Sequence, residues 1–395
     1  MKIQSSQLPD QVHTPSLPSI PGMALVATAL LYGLSAATAG VVNPEVVAGT
    51  ADFSTVGATT TITTSNVAII NYSQFGVAAN ETLQFVQPAV DSRVLNRVMA
   101  GANPSEILGN LYANGRVFIV NPAGIIFGAN SVVDAGQIYA AAGSISDTDF
   151  LDGQLRFDNL QGGVLNEGQI SASTVALIGK HIANSGLIDS PDGTIAIVAG
   201  DSVYLGSIDG GIYVQITNAT DIVGAAIENS GTLNAEDGAV ILEAGDFYSL
   251  AIKQSGVIRG GDIDLTGGDG GFADIRGDIV YGVDQPGSLD LRADGFVFDP
   301  KSISGKAGGS VLLDPTILNI VADGEVLDTN PAPPPAGGDD GYVKASLIES
   351  LLEADSSVTL EATDTINVNE PIAPANPSTV AVTLNFNEQV SGGDG

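Results

Sequence analysis

Two stretches of this chain match each other without a gap at an offset of 45 residues. Residues 184–205 align with residues 229–250, and 9 of the 22 positions are identical. The shared residues are mostly turn formers: Asn184/Asn229, Gly186/Gly231, Asp192/Asp237, Gly193/Gly238, Gly200/Gly245 and Asp201/Asp246. The positions between them vary but mostly stay apolar. Weaker copies start at Asn166 and at Gln254, steps of 18 and 25 residues from their neighbours. The offset of 45 then reads as two turns of roughly 20–25 residues, the period of a solenoid built from short strands. One coil cannot bury its inner face alone. Coils stacked at about 4.8 Å bury it against each other, so residues 41–330 predict roughly 13 coils and a rod on the order of 60 Å long. Asn at equivalent corners is expected to stack as an internal amide ladder.

The rest of the composition agrees with many short strands and tight turns. Gly occurs 49 times in 395 residues, aromatics are 5%, and the apolar content is mostly Val, Ile, Leu and Ala. Thirteen Lys and Arg oppose 45 Asp and Glu, a net charge of −32. Such a surface repels nucleic-acid phosphates and anionic membranes. It reads as a solvated, self-repelling exterior; calcium uptake is the alternative, weaker reading. The absence of Cys excludes disulfides, zinc thiolate sites and cysteine catalysis.

Residues 23–34 form an apolar run followed by Ala37-Thr38-Ala39. The run is too short to span a bilayer and fits the h-region of a secretory signal, with cleavage near Ala37 and Ala39. The preceding segment is long and Pro-rich, an unusual n-region. Near the other end, residues 330–341 are a Pro/Gly-rich linker or loop. Residues 345–354 place Leu347, Ile348, Leu351 and Leu352 on one helical face, and strand character returns after them. The last residues lack a polar capping element, which reads as the front of a longer molecule.

Catalytic residues are scarce. The chain has two His. His13 falls in the signal segment and His181 reads as a surface or corner residue. Paired carboxylates remain, at Asp339-Asp340 and at Asp262 with Asp264. The first pair reads as solvated and the second as exposed on one strand face. Residues 267–274 echo a calcium-binding nonapeptide, but Phe272 stands where that pattern needs Asp, so they read as a Gly-rich corner.

The stretch from Ile69 to Ser146 is more specific. Its centre, residues 117–128, has two short apolar blocks around Asn121-Pro122-Ala123-Gly124, a type I turn by its chemistry. Together with Ile69-Ile-Asn-Tyr-Ser-Gln-Phe75, Asn80-Glu-Thr-Leu-Gln-Phe-Val-Gln-Pro88, Val94-Leu-Asn-Arg-Val98, Asn103-Pro-Ser-Glu-Ile-Leu-Gly-Asn110 and Ala140-Ala-Ala-Gly-Ser-Ile-Ser146, it resembles the two-partner secretion, or haemagglutination-activity, domain of filamentous haemagglutinin-like exoproteins. The resemblance implies an all-β, right-handed parallel β-helix; three short strands per coil, an N-terminal cap and the one short helix read near the C-terminus at 345–354 complete the expected architecture. It also implies export through the periplasm and then through a dedicated outer-membrane barrel transporter, whose periplasmic modules recognise the domain. Folding outside the cell is then expected to help draw the rest through.

Carried onto this chain, the resemblance assigns transporter recognition to Asn121, Pro122, Ala123, Gly124 and Ile125, and secondarily to Asn96 and Arg97. The family's Asn-Pro-Asn-Gly has Ala123 at its third position here, and the family's second motif is not matched at Asn103-Pro104-Ser105-Glu106. The expected layout is a signal peptide at 1–39, the secretion domain and β-helix at 40–300, continuing β-helix at 301–329, the linker at 330–341, and a helix with further β repeats at 342–395. The expected role is that of a secreted or surface adhesin without catalysis or cofactor, with a host-cell or surface receptor as a further partner. Alternatives on the same fold are a polysaccharide-acting enzyme and the front part of a haemolysin or contact-dependent toxin.

Overall fold

A computed structural model of the chain describes residues 40–206, 225–245, 248, 250–325, 327, 340–375, 380 and 382–386. The signal segment with Ala37, Ala39 and His13 lies outside these residues, as do linker residues 330–339 with Asp339.

Three long sheets run the length of a solenoid. Among the described residues they hold 13 strands (sheet I), 11 strands (sheet II) and 11 strands (sheet III). Each regular coil contributes one strand to sheet II, then III, then I, as in Ser105–Ile107, Asn110–Ala113 and Arg116–Val120. Neighbouring coils pair in parallel and in register. The alternate residues that point inward form one continuous apolar core, including Val94, Val117, Ile138, Val175, Ile195 and Val240. The N-terminal end is capped by antiparallel pairing. Glu45–Ala48 lies against Val67–Tyr72, and Ala51–Val56 folds back on Thr59–Thr64.

The amide ladder is present. Asn166, Asn184, Asn229 and Gln254 occupy the same corner in four successive coils. Asn166 Nδ2 donates to Asn184 Oδ1 at 2.8 Å, Asn184 Nδ2 to Asn229 Oδ1 at 2.7 Å, and Asn229 Nδ2 to Gln254 Oε1 at 2.7 Å. All four residues are at most 1% exposed. Each amide that burial strips of water therefore finds its partner in the next coil. A glycine column stands beside it. A Cβ on Gly231 would lie 2.1 Å from the Gly186 carbonyl oxygen, and one on Gly256 would lie 2.1 Å from that of Gly231. The Asn-Ser-Gly repeat is thus an amide to stack and a glycine to let the next corner approach.

One expectation is corrected. Asn184 and Asn229 are direct neighbours, so the offset of 45 is a single coil and not two. That coil carries an outward excursion that includes the strand Val203–Leu205. An earlier coil carries another, with helix α1 (Asp147–Asp152) and the strand Leu155–Phe157. The two excursions meet as an antiparallel pair, Leu155–Phe157 on Val203–Leu205. They consume chain without adding rungs. Among the described residues sheet I therefore has ten strands from Val67 to Asp314, fewer than the roughly 13 coils the period predicts.

The excursions form a lid on the outer face of sheet I. Beneath it Ile69, Leu95, Phe118, Tyr139, Ala176 and Ala196 are buried, packed with Phe150, Phe157, Leu160, Val203 and Leu205 of the lid. This explains a sequence contrast. Strands under the lid read as continuous apolar runs, as in Thr174–Gly179 and Thr194–Ala199, because both faces are covered. From Ala239–Ala244 onward the pattern alternates, with Glu243, Asp264, Asp290 and Asp314 facing outward.

That outward carboxylate row carries a pH dependence. Burial, reinforced by Asp264, pushes the Glu243 carboxyl up to about 8. Burial likewise raises Asp264 and Asp314, while Arg292, 3.8 Å from Asp264, opposes the shift. A carboxylate raised in the folded state stabilises the fold below its unfolded value, and that contribution is lost as pH rises through the folded value. Glu243→Gln is therefore expected to match the parent in thermal melting near pH 5 and to melt higher than the parent at pH 9. A constant difference across this range would show that Glu243 is not protonated in the folded state.

The C-terminal region departs from the regular coil. Helix α2 (Ala345–Glu353) takes the place of a sheet III strand, burying Ala345, Ile348, Leu351 and Leu352 in the core. The short helix is where the sequence predicts it, while α1 is a second one the sequence did not reveal. Asp340 and Gly341, expected as the last residues of the linker, belong instead to the strand Asp340–Lys344.

Candidate functional site

The turn at Asn121 closes as its chemistry requires. The Gly124 amide donates to the Asn121 carbonyl oxygen at 3.0 Å, and the Ala123 amide donates to Asn121 Oδ1 at 3.0 Å. Gly124 has φ +117°, a backbone region that side chains with a Cβ rarely occupy. The loss of the family's amide at position 123 leaves this corner intact, because Asn121 caps it with its own side chain.

Asn121 is not a surface group. It is 1% exposed, and its Nδ2 donates to the Asn103 carbonyl oxygen at 2.9 Å and to Ser105 Oγ at 3.1 Å. The Ser105 amide in turn donates to the Gly124 carbonyl oxygen at 2.9 Å. The segment around Asn103-Pro104-Ser105, which does not match the family's second motif, is thus the shelf on which the first motif rests. On the other side a Cβ on Gly162 would come within 2.7 Å of the Gly124 nitrogen. The corner is clamped between two coils. Gly124 and Ile125 are buried, and only Pro122 and Ala123 are partly accessible.

Asn96 and Arg97 lie one coil further toward the N-terminal cap, in Arg93–Val98 of sheet I. Asn96 is fully buried, accepts from Tyr72 Oη at 3.1 Å and donates to the Phe118 carbonyl oxygen at 3.1 Å. Arg97 faces the other way and holds the lid. It donates to Asn71 Oδ1, to the Ile145 carbonyl oxygen, and to Asp147 Oδ1 at 2.6 Å. Arg93 completes this fastening, donating to the Leu151 carbonyl oxygen at 2.8 Å with its guanidinium 5.6 Å from the Phe150 ring centre. The structure therefore does not bring Asn96 and Arg97 to a common surface with Asn121. Their sequence neighbourhood marks a core position and a lid clasp. Asp147 and Asn71 escaped the sequence reading because their link to Arg97 spans separate coils.

The catalytic candidates do not assemble. Asp262 is exposed and accepts from the Ser288 backbone and hydroxyl. Asp264 is half-buried rather than exposed, bonded to Thr266 at 2.8 Å and near Arg292. Asp340 sits in a strand and accepts from Tyr342 Oη at 3.3 Å. His181 opens its sheet II strand, with Nδ1 3.3 Å from the Ala225 carbonyl oxygen, and burial lowers its pKa. Residues 268–271 form the corner between the strands Asp262–Gly267 and Phe272–Ile275, and Phe272 is buried in a small outer cluster with Val297 and Val321. Among the described residues no group of three or more acidic or His side chains is placed to hold a metal ion.

Comparisons with known proteins agree with this geometry. Residues 34–276 match the TPS secretion domain family. The chain is 30% identical over 185 residues, 44% of its length, to a heme/hemopexin-binding protein of Haemophilus influenzae strain Rd, and 33% identical over 76 residues to another Haemophilus influenzae protein of that name. The matched segments span 20% and 8% of those relatives, respectively, a fifth of their length or less. The crystal structure of the HMW1 secretion domain from Haemophilus influenzae superposes with a TM-score of 0.58 at 22% identity, covering 88% of this chain and all of that one. The clamped turn and the capped parallel solenoid accompany a match over more than half of the sequence, and that match gives one assignment: the chain belongs to the TPS secretion domain family of two-partner exoproteins.

Proposed function

We propose that this chain is the export-directing part of a non-catalytic adhesin-type exoprotein, and that its recognition segments are read before they fold. The observation that carries the second point is burial. Asn96, Asn121 and Ile125 are closed to solvent in the solenoid, so a transporter can address these side chains only in a chain that has not yet coiled. In the periplasm Asn121 to Ile125, with Asn96 and Arg97 as secondary determinants, contact the soluble modules of the outer-membrane barrel as an extended strand. Outside the cell the same side chains become corner cap, core amide and lid clasp. Folding then withdraws the signal from its reader and gives the export step its direction.

The similarity to heme/hemopexin-binding proteins is confined to a segment covering a fifth or less of their length, which favours a shared export role over a shared cargo. Cell-surface adhesion and receptor binding belong to the same proposal, as does the signal peptide at 1–39.

The test is co-expression with the cognate outer-membrane transporter. The chain is expected in the medium when the transporter is present and in the periplasm when it is absent. Removal of residues 121–124 is expected to leave it periplasmic in both cases. Release that does not depend on the transporter would overturn the export role, and normal release of the deletion would overturn the recognition role.

A further inference from the structure

Sheet II breaks chain order at one point. The strand Gly295–Phe298 should have Ile317–Val321 as its neighbour, since that is the next sheet II strand in sequence. Instead Asp340–Lys344 lies between them, pairing with Gly295–Phe298 on one side and with Ile317–Val321 on the other. The earlier strand is displaced by one rung, and a later strand fills the slot.

The displaced strand fits that slot. Phe296 now faces Gly341, and Gly341 faces Leu318; Phe298 faces Val343, and Val343 faces Ile320. Moving Ile317–Val321 down one rung would pair Phe296 with Leu318 and Phe298 with Ile320. Leu318 and Ile320 would keep pointing into the core, where both are now fully buried. Asn319 would take the outward place of Tyr342. The exchange needs no change of face, which a one-residue slip would impose.

Arrival order favours the displaced strand. Only Pro315 and Thr316 separate it from Ser310–Asp314, the preceding sheet I strand. The strand Asp340–Lys344 must first close the 18-residue connection 322–339. Shorter connections close sooner and at lower entropic cost. Gly341 is what lets the late strand enter. A Cβ there would lie 2.6 Å from Pro315 Cγ and 3.0 Å from Phe296 Cζ.

We propose that Ile317–Val321 first docks directly on Gly295–Phe298 and is then shifted outward by one rung when Asp340–Lys344 intercalates, Gly341 being the residue that makes the intercalation possible. The step is a built-in re-registration of the solenoid. It delays completion of the sheet I strand Ser357–Ala362, which follows the intercalating strand and α2 in sequence, until residues beyond the connection are available.

The chain lacks Cys, so engineered pairs report cleanly. Adjacent parallel strands lie about 4.8 Å apart and two rungs about 9.6 Å, and a disulfide cannot bridge Cα atoms more than about 7 Å apart. Two full-length double variants are refolded from urea and oxidised at successive times. Val297→Cys with Tyr342→Cys is expected to crosslink in the final state. Val297→Cys with Asn319→Cys is expected to crosslink early, and to lose that reactivity as the first pair gains it. Adding Gly341→Val to the second pair is expected to make the early crosslink persist. Absence of the 297–319 crosslink at every time and also with Gly341→Val, while 297–342 forms, would overturn the proposal. So would a 297–319 crosslink that stays equally reactive in the final state.

Discussion

Replacing Asn184 with leucine is expected to cost about 3–5 kcal/mol, more than the same change at the Gln254 end of the ladder. Asn184 sits inside the ladder, accepting from Asn166 and donating to Asn229. Its loss leaves one buried donor and one buried acceptor without partners, each worth roughly 1–3 kcal/mol, and leucine is close enough in size that cavity terms are small. Gln254 ends the ladder. Its Nε2 already has no partner, so Gln254→Leu orphans only Asn229 Nδ2 and removes one unmet donor. It should therefore cost less, on the order of 1 kcal/mol. Urea denaturation of the two variants measures this. Equal losses would show that the ladder contributes by packing alone and not through its chain of hydrogen bonds.

The second large effect is at the lid. Phe150 is 1% exposed, and its ring stands edge-on to Phe118 at 5.2 Å, where Phe118 stacks on Tyr139 at 4.4 Å. Phe150→Ala is expected to cost about 3–5 kcal/mol within the lid and to uncover the apolar outer face of sheet I. Leu151, next to it on α1 and 45% exposed, should tolerate the same change within about 0.5 kcal/mol. Limited proteolysis separates the two. Phe150→Ala should open cleavage between residues 147 and 157 under native conditions, whereas Leu151→Ala should not. Resistance of Phe150→Ala would mean that Arg93 and Arg97 hold the lid without the aromatic contact.

Much of this was legible in the sequence, and the reasons are specific. Asn166, Asn184, Asn229 and Gln254 mark the starts of four copies because stacked corners need both an amide and a following glycine. The turn at Asn121 was readable because its chemistry is local. What escaped was non-local. The length of 45 looked like two coils because an outward excursion has no sequence mark that distinguishes it from another coil. The lid was foreshadowed only by strands that are apolar on both faces, a pattern that says the outer face is covered without saying by what. The inserted strand Asp340–Lys344 breaks chain order, which no period reveals. Burial of Asn121 was hidden for the same reason: its partners Asn103 and Ser105 belong to the coil below.

That burial is the centre of the functional account, and one binding measurement tests it most directly. The soluble periplasmic modules of the cognate transporter are titrated with residues 40–395, once folded and once held unfolded in dilute urea, with the modules stable in both. The account predicts that the unfolded chain binds at least about tenfold tighter, ~1.4 kcal/mol, and that Asn121→Ala weakens only the unfolded chain's binding. Equal or tighter binding by the folded solenoid would contradict it, because Asn96, Asn121 and Ile125 are closed to solvent there.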